Sequence, residues 1–280
     1  MNRFLATVIA VVALSACTRD SWPEPPAVNQ AAYEKEHAAW REEHRQGLSQ
    51  VLPIIGIWPL EEGETPFGSD RALPIVLPAQ HFPARAGVVR RAGDDVTIVP
   101  EPAGGPIRLS VASAGDSRRW LMGVDESHPA VKTPPVVETF PLDTRWRVAA
   151  RFDAFDKPKP VRVPDVRGGH MEFMATGQLV FRIDGQEMKL TAFGEPESPE
   201  LFVLFKDPTN RSTTFGGYRI LLPKAVNDDE WTVIDFNFAT NPPCAYSKYT
   251  ICPLPPPENK LPVAIEAGLQ RLPDAQGYSE

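Results

Sequence analysis

The chain has 280 residues, of which 42% are hydrophobic and 23% charged, enough apolar material to bury a substantial core in one large domain or two small ones. A formal charge of -7 gives no electrostatic reason to bind nucleic acid, and that class of partner is set aside. Pro and Gly, 31 and 19 residues, favour short strands joined by turns over long helices.

At the N-terminus Arg3 precedes an apolar run from Phe4 to Leu14, too short to cross a bilayer as a helix, with small residues at Ser15 and Ala16. This is the pattern of an export signal. The tetrad Leu14-Ser15-Ala16-Cys17 resembles the bacterial lipobox, which implies cleavage before Cys17 and lipid attachment to its thiol. Removing residues 1–16 takes away Arg3 and shifts the formal charge from -7 to -8. The expected location is the cell envelope, anchored in lipid on the periplasmic face of a membrane. Residues 17–28, with three prolines and no apolar periodicity, read as an extended tether that holds the body off the membrane.

From Asn29 the chain carries a capping residue, strong helix formers and Gly47 as a stop, which predicts one helix over 29–50. Tyr33, His37, Trp40 and His44 share its face. With no acid or cysteine at a ligand spacing beside the two histidines, docking of the helix is favoured over a metal site or proton relay.

Residues 51–156 read as a β-sandwich-like half. Val51 to Leu60 is apolar but broken by Pro53, Gly56 and Pro59, hence buried extended chain. Gly87 to Val99 is a hairpin signal, with further strands at Ile107 to Val111, Trp120 to Val124 and Trp146 to Phe152. The stretch E-G-E-T-P-F-G-S-D-R-A-L-P-I-V-L-P resembles the opening of forkhead-associated β-sandwiches. Ser69 follows Gly68 where those domains place an arginine, so the resemblance implies shape without phosphopeptide binding.

Lys157 to Pro160, K-P-K-P, is the expected boundary, and residues 157–270 form a second β-rich half ending in a proline-rich segment, with 271–280 as a tail. Expected strands are Val161–Val166, Met171–Thr176, Gln178–Ile183, Gln186–Phe193, Leu201–Lys206 and W-T-V-I-D-F-N-F, with Asp184-Gly185 as a hairpin turn. The overall expectation is a mainly β protein of about a dozen strands with one N-terminal amphipathic helix.

Asp235 to Glu266 concentrates two cysteines, seven prolines and the hydrogen-bonding residues Asp235, Asn237, Asn241, Tyr246, Glu258 and Asn259. N-P-P-C-A-Y and C-P-L-P-P-P-E-N-K-L-P-V within it, together with Y-E-K-E-H-A-A-W-R at Tyr33 to Arg41 and F-G-S-D at Phe67 to Asp70, resemble the bacterial and archaeal domain-of-unknown-function family sixteen-eighty-four. That family has no activity to lend. The chain departs from the family's pattern at Phe238, where an arginine commonly follows D-F-N, and at Leu269, where an acid commonly follows A-G.

Cys244 and Cys252 lie eight apart, and in an exported protein a disulfide is favoured over free thiols, a metal site or a nucleophile. The six polar residues admit two readings. They could line a site for a polar ligand or for a cation held through oxygen atoms, with Asp235 and Asn237 on one side of a strand, or they could satisfy the backbone of a segment whose prolines lack N–H donors. The second is favoured. No catalytic motif, cofactor fingerprint or metal-ligand set is present in the sequence, so no cofactor or metal is predicted. The expected function is a lipid-anchored envelope protein with a non-catalytic binding or structural role toward a small molecule or protein. The alternative is a hydrolase-like or metal-binding enzyme in which Asp235 or Glu258 works with His170 or Cys244.

Overall fold

The structure, a computed structural model, describes residues 22–100, 105–113, 118–195, 198–273 and 277. The leader, Cys17 and the last residues of the tail lie outside these. The protein is mainly β, with thirteen strands, one long helix and one four-residue helix among the described residues.

The long helix α1 spans Gln30–Val51, and the Asn29 side chain accepts from the Ala32 amide as its cap. Tyr33, His37 and Leu48 are buried on one face and Trp40 and His44 half-buried beside them. Gly47 does not stop the helix. Leu48 beyond it packs with Val137, Ala245, Tyr246 and Leu269, and this burial outweighs the roughly 1 kcal/mol that glycine costs in a helix.

The first half is a sandwich. One sheet orders β1 (Ile54–Leu60), β7 (Arg119–Asp125) and β6 (Ile107–Ser113). The other orders β3 (Ile75–Val76), β2 (Gly63–Gly68), β4 (Gly87–Ala92) and β5 (Asp95–Val99). Leu60 and Leu121 from the first meet Phe67, Ile75 and Val89 from the second in a single apolar cluster. Pro59 is tolerated because β1 is an edge strand.

In the second half the sheet order is β10 (Gln186–Phe193), β9 (His170–Ile183), β8 (Arg147–Pro164) and β13 (Trp231–Asp235). The two-stranded sheet β11 (Val203–Phe205) with β12 (Arg219–Leu221) packs on it, their shared core including Phe181, Leu190, Phe205, Ile234 and Phe236. Asp184 and Gly185 both take positive φ, 51° and 79°, as the two-residue loop between β9 and β10 demands.

Three expectations change. Lys157 to Pro160 is not a connection between halves but lies inside β8, where the register with β9 shifts between Ala154 and Lys159. An irregularity of this kind accommodates Pro158, which has no N–H to give a ladder. The two strands expected over Met171–Thr176 and Gln178–Ile183 are one, β9. W-T-V-I-D-F-N-F is a strand only to Asp235, after which Phe236–Phe238 form a 3-10 turn.

The expected tether is also only partly a tether. Trp22 donates from its indole nitrogen to the Ala149 carbonyl (3.0 Å) and stands edge-on to Trp231, ring centroids 4.9 Å apart. Arg182 and Arg151 lie over its ring at 4.6 and 5.9 Å. Arg147 holds the Pro26 carbonyl at 2.8 Å. Residues 22–28 are thus a strap laid against the β8–β13 side of the sheet.

Gly268 tests how tightly the C-terminal ribbon is laid. Its φ is +79°, and an added Cβ would stand 2.4 Å from the Ala239 carbonyl oxygen, whereas Gly185 has the same φ and open space around it. Gly185→Ala is expected to lower stability by about 1 kcal/mol through backbone strain alone. Gly268→Ala should cost at least about 3 kcal/mol because overlap with main chain is added. Urea denaturation of the two variants measures the difference.

Candidate functional site

The proline-rich segment runs across the second half as a ribbon without regular strand, and its side chains fall into three groups. The first gathers around Asp235. Its carboxylate caps the turn over Phe236–Phe238 by accepting from the Asn237 amide (3.1 Å) and side chain (3.0 Å). It also accepts from the Tyr33 hydroxyl (2.8 Å to Oδ2) and from Nε of Arg147 (3.1 Å). Asn237 and Asp235 therefore meet, though through a turn and not along one side of a strand. The Asn237 amide group also donates to the Asp143 carbonyl (2.9 Å) and its oxygen accepts from the Asp143 N–H (3.2 Å). Burial, reinforced by the neighbouring carboxylate, raises the Tyr33 phenol well above its ordinary range, so it keeps its proton and donates it to Asp235 while its oxygen accepts from the Asn237 side chain (3.0 Å). Every lone-pair direction of Asp235 is taken, leaving no open position for a ligand or ion.

The second group lies further along α1. Tyr246 hydroxyl and His44 Nε2 are 2.9 Å apart, and Thr240 Oγ1 and His44 Nδ1 are 3.0 Å apart. Asn241 donates its amide to the Tyr246 hydroxyl (3.2 Å) and to the Gln270 carbonyl (2.8 Å). Each ring nitrogen of His44 thus meets one hydroxyl, which can donate to the bare nitrogen or accept from the protonated one, so the neutral imidazole is satisfied on both sides. Burial pushes the His44 imidazole down to about 4, and raises the Tyr246 phenol. Nearby, His37 donates from Nε2 to the Asn237 carbonyl (3.2 Å), and burial lowers it too. Both histidines are neutral fasteners of the helix.

Asn259 forms the third. Fully buried, it accepts from the Thr191 N–H (2.7 Å) and donates to the Thr191 and Leu204 carbonyls (both 2.9 Å), doing for β10 what a neighbouring strand's peptide would do. Glu258, its chain neighbour, is exposed and joins none of these groups. The expected set thus divides: Asp235 with Asn237, Asn241 with Tyr246, Asn259 alone, Glu258 outside.

Sequence reasoning missed the most deeply buried pair. Asp207 and Arg219 have fully buried side chains 2.8 Å apart. Asp207 accepts from the Ile265 amide (2.7 Å) and Thr209 hydroxyl (2.9 Å to Oδ2), and Arg219 donates to the Ala267 (2.6 Å) and Ile265 (3.0 Å) carbonyls while stacking over Phe205. In sequence Arg219 follows Gly216 and Gly217 closely enough to be counted as a possible completion of the polar set, and Asp207 opens the turn D-P-T-N, but nothing pairs the two. Arg147, the counter-ion of Asp235, reads in sequence as the polar member of an alternating strand.

Cys244 and Cys252 are paired as a disulfide, with Cα atoms 6.2 Å apart, buried beside Leu204 and Tyr218. His170 is the exposed first residue of β9, and its carbonyl accepts from Arg118. Among the described residues no three His, Cys, Asp or Glu side chains gather in a metal-sized group.

Fold and site together define a mainly β protein whose C-terminal ribbon is pinned by buried side chains. Residues 135–270, which hold that ribbon and the sheet beneath it, match the family model described as "Protein of unknown function (DUF1684)". The chain belongs to this family. The solution NMR structure of an uncharacterized protein from Haloarcula marismortui, gene locus rrnAC0354, is 31% identical over 49% of this chain and 76% of its own, with a TM-score of 0.42. No curated protein matches.

His44 sets an expected pH dependence. Its folded value lies below the unfolded one of 6.5, so the unfolded chain binds the proton more readily. The stability from neutral His44 is complete above pH 6.5 and declines as the pH falls toward about 4, by an amount on the order of 3 kcal/mol. His37, lowered by burial, adds in the same direction. His44→Gln should be less stable at pH 7 and lose less between pH 7 and 4, as read from denaturation midpoints.

Proposed function

We propose that the protein is a lipid-anchored envelope protein, held at Cys17, whose body has a non-catalytic, structural or binding role. The observation that carries the non-catalytic reading is that Asp235, Asn237, Tyr246 and Asn259 spend their polar atoms on neighbouring side chains and main chain; within the expected set the buried Oδ1 of Asn241 has no hydrogen-bond partner among the described residues. A catalytic acid or base needs a free direction toward a substrate atom. Asp235 has none, and Glu258 lacks a partner group. Support for the anchor comes from Arg3, the apolar run and Leu14-Ser15-Ala16-Cys17.

Cys17→Ala in the full chain tests the anchor. The unsubstituted protein is expected in the membrane fraction with an acylated N-terminal cysteine, and the variant is expected to lose the acyl mass. Unchanged membrane association and mass in the variant would reject the reading. For the body, a chain lacking residues 1–17 should show no thermal shift with divalent metals. A metal-dependent shift abolished by Asp235→Ala would favour the metal-binding enzyme instead.

A further inference from the structure

Resting on the anchored reading just given, the structure assigns a membrane-facing side to the body: the face carrying the Trp22 strap lies against the phospholipid headgroups. The argument is one of chain length. Trp22 is fixed by the Ala149 carbonyl, by the Trp231 ring and by two guanidiniums, and residues 23–28 continue along the sheet to the cap of α1 at Asn29. Only Thr18 to Ser21 then separate a lipidated Cys17 from the docked indole. Five Cα steps of fully extended chain span about 17 Å, so the strap cannot be further than that from the anchored cysteine.

The opposite end of the molecule is set by α1. The strap enters its N-terminus, and the sandwich begins at β1 just beyond its C-terminus. Twenty-two residues of helix extend about 33 Å, which carries the sandwich well away from the strap. The body is therefore held close to the lipid surface with its sandwich outward, in place of the loose spacing that residues 17–28 suggest as sequence.

Two grooves of about 660 and 720 Å³ flank the strap and share Pro23, Glu24, Pro26, Arg147 and Ala149 in their walls. Their walls hold Arg145, Arg182 and Lys224 together with Glu24, Asp184 and Asp229, and the fourth cation, Arg147, is paired with Asp235. With cations and acids balanced, the tether and not a basic patch sets the orientation, and zwitterionic headgroups serve as well as anionic ones.

The test uses the full acylated chain in phosphatidylcholine vesicles carrying a headgroup-labelled acceptor. A fluorophore is attached at Arg145→Cys beside the strap or at Thr97→Cys on β5, both exposed sites. Energy transfer is expected to be about threefold greater from position 145, given the helix length between the two ends. A flexible Gly/Ser insert of about a dozen residues between Asp20 and Ser21 should erase that contrast without changing the melting temperature. Equal transfer from both positions, or a contrast that survives the insert, in a chain whose mass shows acylation, overturns the orientation alone. A mature chain with no acyl group at Cys17 overturns the anchor, and the orientation with it.

Discussion

The constraint on which the architecture turns is the shortage of main-chain donors in the C-terminal ribbon. Seven prolines between Asp235 and Glu266 remove seven N–H groups, so no regular ladder can fasten this segment to a sheet. Buried carbonyls and amides must still find partners. Isolated main-chain pairs at Cys252, Leu254, Asn259 and Leu261 supply some, and side chains supply more: Asn259 closes the edge of β10, Asn241 takes the Gln270 carbonyl, and the Asp207–Arg219 pair grips main chain at Ile265 and Ala267. The disulfide between Cys244 and Cys252 closes a short loop within the same ribbon, a restraint of about 2.6 kcal/mol in the chain-entropy model.

These fastenings are chemically expensive to break and weak as a net source of stability. A buried ion pair such as Asp207–Arg219 roughly cancels its own desolvation, yet removal of one member leaves a charge with no partner and costs about 3–5 kcal/mol. What the pair does locally is hold the ribbon's main chain at Ile265 and Ala267 from both a donor and an acceptor side. Arg219 meets this demand where lysine would not, because its planar group reaches two carbonyls and a carboxylate at once and stacks over Phe205.

Much of the fold was legible because it is written in local rules. Asn29 as a cap, the helical spacing of Tyr33, His37, Trp40 and His44, and the Asp184-Gly185 turn each follow from one short stretch of sequence. Of the candidate site, the membership of Asp235, Asn237, Asn241, Tyr246 and Asn259 in the ribbon's scaffolding was legible from the prolines beside them. Their partners were not. Tyr33 reaches Asp235 across 202 residues and Asn259 reaches Thr191 across 68, distances over which composition carries no pairing information. Lys157 to Pro160 misled for a related reason. Two prolines signal a break locally, and only the pairing of β8 with β9 reveals a bulge that absorbs them.

The two positions at which the family resemblance implies other residues, an arginine at 238 and an acid at 269, both pack against α1. Phe238 packs against His37 and Trp40, ring centroids 5.4 and 5.2 Å away, and Leu269 is buried with Leu48 at the other end of the same helix. An arginine at 238 would set a cation beside His37, and an acid at 269 would bury a charge among Leu48, Val137 and Ala245. Both positions instead carry apolar side chains, which suits a helix held by burial and by neutral histidines. The strap enters this helix directly at Asn29, so the chain from Trp22 through α1 to the ribbon is one continuous set of contacts. A load applied at the N-terminal end would meet Trp22 first, then the Tyr33–Asp235 bond, and only afterwards the sandwich.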